Sequence, residues 1–325
     1  MNQTVIYHRE APSITIFLFA YNQEKYVQKA CEAVLAQDYQ GHLEIIFSDD
    51  CSRDNTFQIM SKIAKNYTGT HVLRLNRNPH NMGLIPHINL IHQLATGELL
   101  IVAAGDDISL ANRVSEIVEA YRQAEQQPTS IHSSVYKMSP EGEVLDIWIP
   151  PIHDLPKKLD VYALSSSLLI GATHAWHKSL FDRFGDIQQL GAYEDLVLAY
   201  RSALLNGLVY IDKPLVNYRL GVGISGAGKQ EAQDNKDPQI FKGKLLSELK
   251  IKIPVLKQRL IDSKHIQAPQ NIITLIQDEI YRSEIQKKLL TEEGNFFQQL
   301  YCAISVSFMI YFLRVWFRWV RKGLR

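Results

Sequence analysis

Cysteine is scarce in this chain. Three occur in 325 residues, Cys31, Cys51 and Cys302, and no two stand in C-x-x-C spacing. That excludes a disulfide framework and a cysteine zinc site, and fits a reducing compartment. Net charge is nearly absent too, at +1, so no global field gathers nucleic acid or steers an anion; charge effects must be local. The eleven histidines include no H-x-x-x-H pair. The opening MNQTVIYHREAPS has no basic start followed by an apolar stretch, so no signal peptide is expected. Internal repeats are lacking.

What is present is an alternation. SITIFLF, from Ser13, reads as a buried strand, and LEIIF (Leu43 to Phe47), HVLRL (His71 to Leu75) and LLIVAA (Leu99 to Ala104) as further strands. Between them, Gln23 to Gln37, Thr56 to Asn66 and Pro86 to Leu94 carry apolar residues at helical spacing, the last opened by proline. Strand and helix alternating this way predict an α/β fold with a mostly parallel sheet covered on both faces. From about Ser130 the pattern becomes α+β. IHSSVYKM, EVLDIWI, LLIGA (Leu168 to Ala172), LVYI and VNYRL read as strands, and Asp195 to Leu205 as a helix. The polar, glycine-rich GVGISGAGKQEAQDNKDP follows as a loop or linker, and from about Gln239 the chain reads as helical.

In an open parallel sheet, ligands bind beyond the carboxyl ends of the strands. Those ends carry AYNQEKY (Ala20 to Tyr26), SDDCSRDNT (Ser48 to Thr56), NPHNMGL (Asn78 to Leu84) and AGDDIS. Two of the four strands thus stop at adjacent aspartates, Asp49-Asp50 and Asp106-Asp107. Neighbouring carboxylates are costly unless a cation or hydrogen-bond donors hold their charge. They suit a hard cation, or donors such as ring N–H groups and sugar hydroxyls. Helix capping competes for each pair, and Asp54 or Asn55 suits the cap of the helix from Thr56. A dinucleotide-binding domain would need a glycine-rich first turn. Here that turn is Ala-Tyr-Asn-Gln, whose tyrosine suits a flat base. A diphosphate would then be neutralised by a metal on Asp107.

GVGISGAGKQ imitates two phosphate loops, but Gln230 stands where a P-loop has Ser or Thr, and no apolar helix follows. As a lid it would offer Lys229 or Arg219 to a diphosphate. His174 and His177 are expected to serve ordinary polar or core duty, and Trp148 and Trp176 to pack in the core.

Taken in order, AYNQEKYVQKACEAVLAQDY, IIFSDDCSRDNT, NRNPHNMGL, ATGELLIVAAGDDIS and AYEDLVLAYR resemble the motifs of bacterial family 2 glycosyltransferases of the GT-A fold, over about residues 13 to 220. The resemblance implies that Tyr21 and the backbone around Ala20 and Asn22 hold the nucleotide base. It implies that Asp50 accepts the base N–H, that Asp106 approaches the donor's ribose or sugar, and that Asp107 coordinates Mn²⁺ or Mg²⁺. It makes Asp195 the base of an inverting transfer, with Glu194 supporting it or binding acceptor. A carboxylate favoured by the helix dipole is the competing role for both. The family's acidic motif is often D-x-D, and Gly105 stands where its first aspartate would be. The family's Arg-Asn pair after N-x-G corresponds to His87-Ile88-Asn89, so the arginine is missing.

Near the C-terminus, the apolar LYCAISVSFMIYFL (Leu300 to Leu313) is too short for a comfortable span. It is followed by Arg314, Arg318, Arg321, Lys322 and Arg325 among Trp316, Phe317, Trp319 and Val320. This suits a helix at an anionic membrane surface, or one packed on the catalytic domain or a second subunit. The expected layout is a GT-A domain over residues 1–225, a linker over 226–238 and a helical extension over 239–325. The expected activity is metal-dependent transfer of one sugar from a nucleotide-sugar donor, a UDP-sugar, to a glycan or lipid-linked acceptor. The expected place is the cytoplasmic face of the membrane, with a homo-oligomer possible and no nucleic-acid partner. Two alternatives stay open. A sugar-1-phosphate nucleotidyltransferase would need a glycine-rich, basic first loop. A non-catalytic nucleotide-sugar-binding scaffold would not need the set Asp50, Asp106, Asp107 and Asp195.

Overall fold

A computed structural model describes residues 10–223 and 238–291. The expected alternation is there: β1 (Ile14–Ala20), α1 (Val27–Leu35), β2 (Leu43–Asp49), α2 (Thr56–Asn66), β3 (Val72–Arg77), α3 (Leu84–Leu94) and β4 (Leu99–Ala104). β1, β2, β3 and β4 pair in parallel in the order β3-β2-β1-β4. Period-two alternation sorts their side chains between two cores. Ile14, Ile16 and Leu18 join the layer under α1, while Phe17 joins the layer under α3.

The second half departs from expectation in three places. After a two-residue strand, β5 (Ile108–Ser109), comes an unexpected helix, α4 (Arg113–Gln123). It buries Val114, Ile117, Val118 and Tyr121, a helical spacing interleaved with charge. Next come β6 (Ser130–Met138), β7 (Val144–Trp148) and a short helix, α5 (Leu159–Leu164). Leu168 to Ala172 is not the strand its apolar run predicts. Leu168, Leu169 and Ile170 are buried without ladder pairing, and Gly171–Thr173 forms a 3₁₀ turn. Thr173 closes that turn by donating N–H and Oγ1–H to the Ile170 carbonyl. The strand proper is β8 (Ala175–His177), antiparallel to both β4 and β6.

After α6 (Ser179–Phe184) and α7 (Glu194–Leu204), the two short strands expected from LVYI and VNYRL are one, β9 (Leu208–Arg219). Pro214, which has no N–H to give a ladder, coincides with a register break opposite Ser133 and Ser134. The full order is β3-β2-β1-β4-β8-β6-β9-β5, with β7 on β6.

Two long helices follow, α8 (Pro238–His265) and α9 (Gln270–Thr291). They share a core with α5 and α7 through Ala163, Tyr200, Leu256, Ile272 and Ile276. α8 also meets α7 through polar side chains that are fully buried: Gln258, Arg259, Asp262 and Ser263. Asp262 takes a bidentate pair from Arg201, at 2.9 and 3.0 Å, and a third bond from Gln258. Tyr200 and Ser263 hydroxyls meet at 2.7 Å. The expected linker, 226–238, lies outside the described residues except at its last position, and the basic-aromatic tail lies wholly outside them. Among the described residues, no helix is long and apolar enough to cross a membrane.

Candidate active site

The loop after β1 is held by the loop after β2. Asn22 takes a left-handed conformation (φ 52°), which asparagine tolerates, and its Oδ1 accepts the Arg53 N–H at 2.9 Å. Its own N–H donates to Ser52 Oγ, and Gln23 N–H to Thr56 Oγ1. The tyrosine before it, Tyr21, is left 38% exposed beside a cavity. The N-cap of α2 is Asn55, without a side-chain cap bond, while Asp54 just before it closes a turn, its Oδ1 accepting the Thr56 N–H.

The first aspartate pair divides its labour. Asp49 is fully buried, accepts the Ser52 N–H and pairs with Arg77 at 3.3 Å, so it ties strand to loop. Asp50 accepts Asn78 Nδ2–H and the Met82 N–H on Oδ1, and the Gly83 N–H on Oδ2, all at 2.8–2.9 Å. A carboxylate has about four acceptor positions, so one remains on Oδ2.

The second pair sits where the chain has no room for a third acid. A Cβ on Gly105 would lie 2.5 Å from Gln23 Oε1 and 2.8 Å from the Ala20 Cβ. Glycine here is a consequence of close packing on the β1 loop. Asp107 Oδ1 accepts the backbone N–H of Arg219 at 2.8 Å. Burial, together with the Asp106 charge, pushes Asp107 well above the usual carboxylate range, and burial also raises Asp106. The nearby cations do not cancel this. Arg113 is spent on Ser109 and the Val102 carbonyl. Arg219 is spent on the carbonyls of Asp106, Ser139 and Pro140 and lies 4.5 Å above the Tyr26 ring. Arg219 therefore belongs to the wall of the site, not to a lid; Lys229 lies outside the described residues. Gly223 (φ 72°) passes so close to Asp106 that a Cβ there would meet Oδ2.

Two buried carboxylates short of compensating charge fit a hard divalent cation. The described residues contain no cluster of three His, Cys, Asp or Glu able to hold a metal alone. Mg²⁺-like ions take one or two carboxylates and complete their shell with substrate phosphate and water, so Asp106 and Asp107 suit an ion that arrives with a diphosphate.

The second acidic pair opens α7. Asp195 Oδ1 accepts the Leu196 N–H at 2.7 Å. Burial, with the Asp195 charge beside it, raises Glu194 to about 8, and burial raises Asp195 to about 6. Arg259, from α8, moderates Asp195. Its guanidinium is fixed by the carbonyls of Ala163, Ser165 and Leu196. The backbone of Gly171 comes close, such that a Cβ there would stand 3.1 Å from Glu194 Oε1.

One cavity of about 700 Å³ joins these parts. Ala20, Tyr21, Asn22, Asp50, Asp106, Asp107, Glu194 and Asp195 all line it. The sequence did not reveal His87 or Arg259 as parts of the site, and it offered Arg219 only as a lid contact; the neighbours of all three lie far away in the chain. Trp148 lines the cavity and packs edge-on against Tyr218, so it is more than core. Trp176 is core, and His174 is buried against Ser130.

The open sheet, with acids at its strand ends and a wall of helices, is the GT-A glycosyltransferase fold. Staphylococcus aureus TarS (residues 1–349, with UDP-GlcNAc) matches with a TM-score of 0.53 at 16% identity, over 85% of this chain and 80% of that one. The mannosyltransferase PcManGT of Pyrobaculum calidifontis (with GDP-Man and Mn²⁺) matches with a TM-score of 0.54 at 15% identity, over 92% and 81%. Residues 15–155 match the model of glycosyl transferase family 2. An uncharacterized glycosyltransferase of Haemophilus influenzae is 22% identical over 84% of this chain and 86% of its own length. The Bacillus subtilis protein EpsE, named as a glycosyltransferase, is 30% identical over 33% of this chain, and the match spans 37% of EpsE.

Proposed function

We propose that this chain transfers one sugar, with inversion, from a nucleoside-diphosphate donor, a UDP-sugar, to a hydroxyl of a lipid-linked or surface-polysaccharide acceptor. The observation that carries the reading is the single cavity with two separate acidic pairs, one at the end of β4 and one at the start of α7. Asp106 and Asp107 would hold Mn²⁺ or Mg²⁺, which would offset charge on the leaving diphosphate. Tyr21 and Asp50 hold the base. Asp195, raised only to about 6, is ionised at neutral pH yet basic enough to take the acceptor's hydroxyl proton. Glu194, raised to about 8, stays protonated and offers a donor to the acceptor. The Leu196 N–H, and after it Arg259, hold Asp195 below Glu194. TarS and PcManGT, with their nucleotide-sugar ligands, support the donor class. The basic-aromatic tail supports reaction at the inner membrane face.

Asp195→Asn tests the reading. Nucleotide-sugar affinity, measured by calorimetry with Mn²⁺, should stay within a few-fold of wild type, while turnover falls by about 10²–10⁴. Normal turnover in that variant would remove Asp195 as the base.

A further inference from the structure

His87 lies in the first turns of α3, is 4% exposed, and lines the cavity alongside Asp50. Phe17 and Phe19 meet its ring edge-on, with centroids at 5.7 and 6.2 Å, and so fix its plane. Burial lowers its pKa against the pull of Asp50 and Asp49, so the ring is neutral, with one donor nitrogen and one acceptor. Ser48 Oγ stands 2.6 Å from Nε2. That hydroxyl also accepts from Asn76 Nδ2 at 2.8 Å, and His87 Nε2 is the one acceptor its own proton meets, so we assign the proton there. The ring proton is then on Nδ1, and Nδ1–H is left for the cavity. The same chain runs on from Asn76 Nδ2 to Asn78 Oδ1, and from Asn78 Nδ2 to Asp50 Oδ1. One network therefore fixes both an acceptor, the last free position of Asp50, and a donor.

An acceptor beside a donor complements a ring N–H next to an exocyclic carbonyl. Uracil and thymine show that lactam edge at N3–H and O4, and guanine at N1–H and O6. Cytosine and adenine show the reverse, a ring acceptor next to an amino group. We propose that His87 is a base-reading residue, whose Nδ1–H donates to the exocyclic carbonyl of a lactam base while Asp50 holds the ring N–H. This rests on reading the cavity as a nucleotide-sugar site. It also supplies a donor where Ile88 replaces the arginine expected after N-x-G.

The test is calorimetry on wild type and His87→Leu, with Mn²⁺ and UDP, GDP, CDP or ADP, and with 4-thio-UDP and 6-thio-GDP. Each thio analogue keeps the ring N–H and replaces the carbonyl oxygen by a poor acceptor. Wild type should bind UDP or GDP at least about tenfold more tightly than CDP and ADP, since a site built for a hydrogen bond rejects ligands that cannot complete it. The UDP and GDP arms separate the pyrimidine from the purine. The preferred nucleotide should lose about fivefold or more on thio substitution in wild type, and nothing in His87→Leu. A purely structural histidine would weaken all ligands alike. An equal oxo-to-thio ratio in the two proteins would overturn the proposal while leaving the nucleotide-sugar reading intact. So would a wild-type preference for CDP or ADP. Should the leucine variant not fold, the wild-type oxo-to-thio comparison decides alone. Binding of no nucleotide would overturn the broader reading, and this proposal with it.

Discussion

At the scale of single residues, Gly105 shows how packing overrides a familiar pattern. The D-x-D form of the acidic motif cannot be written into this chain, because the side chain would enter space held by Gln23 and Ala20. Gly105→Ala should destabilise the protein by about 1–3 kcal/mol through overpacking. Adding Gln23→Ala, which removes the 2.5 Å contact, should recover part of that loss in a chemical denaturation series. The eight residues the sequence nominated all reach the cavity, because each sits next to a strand end or a helix start. His87 and Arg259 were not legible as parts of the site, and Arg219 was legible only as a lid contact. Each earns its place through partners such as Ser48, Asp107 and Leu196, and nothing local in the sequence records those distances.

At the scale of elements, the strands and the helices with one apolar stripe were readable up to β4, including β3, which lies largely exposed at the sheet edge. Beyond it, an apolar run such as Leu168 to Ala172 has the same composition whether it lies in a ladder or crosses under one. α4 went unseen although Val114, Ile117, Val118 and Tyr121 keep helical spacing in the sequence. The seam between α7 and α8 gives the sharpest test at this scale. Asp262→Ala strands a buried guanidinium and should cost about 3–5 kcal/mol. The double change Arg201→Met with Asp262→Leu removes both charges and should cost far less. Denaturation midpoints of the two variants check this directly; equal losses would mean that the pair contributes packing alone.

At the scale of the whole molecule, the architecture gathers acids from Asp50 to Asp195 around one cleft, and stability pays for that arrangement. Glu194 and Asp195 have folded-state pKa values raised from 4.5 to about 8 and from 3.8 to about 6. The folded protein therefore binds protons more tightly than the unfolded chain. The stability these groups contribute is full below about pH 4 and is lost as pH rises through 6 and 8. Glu194→Gln should flatten the decline, raising the melting temperature of the ligand-free protein at pH 8 more than at pH 5. An unchanged pH profile would show that Glu194 is not the buried acid responsible.

The polar seam on α8 carries a dynamic consequence. A greasy contact between helices can shear, because one apolar surface resembles the next. Arg201, Asp262, Gln258 and Tyr200 work instead as a key cut for one lock. Sliding α7 by a single turn would strand every one of these groups at once, so the wall bearing Asp195 is a fixed anvil. Adjustment to a bound donor is then expected elsewhere around the cavity, as at Gly83, which holds a φ of 79° and where a Cβ would touch nothing.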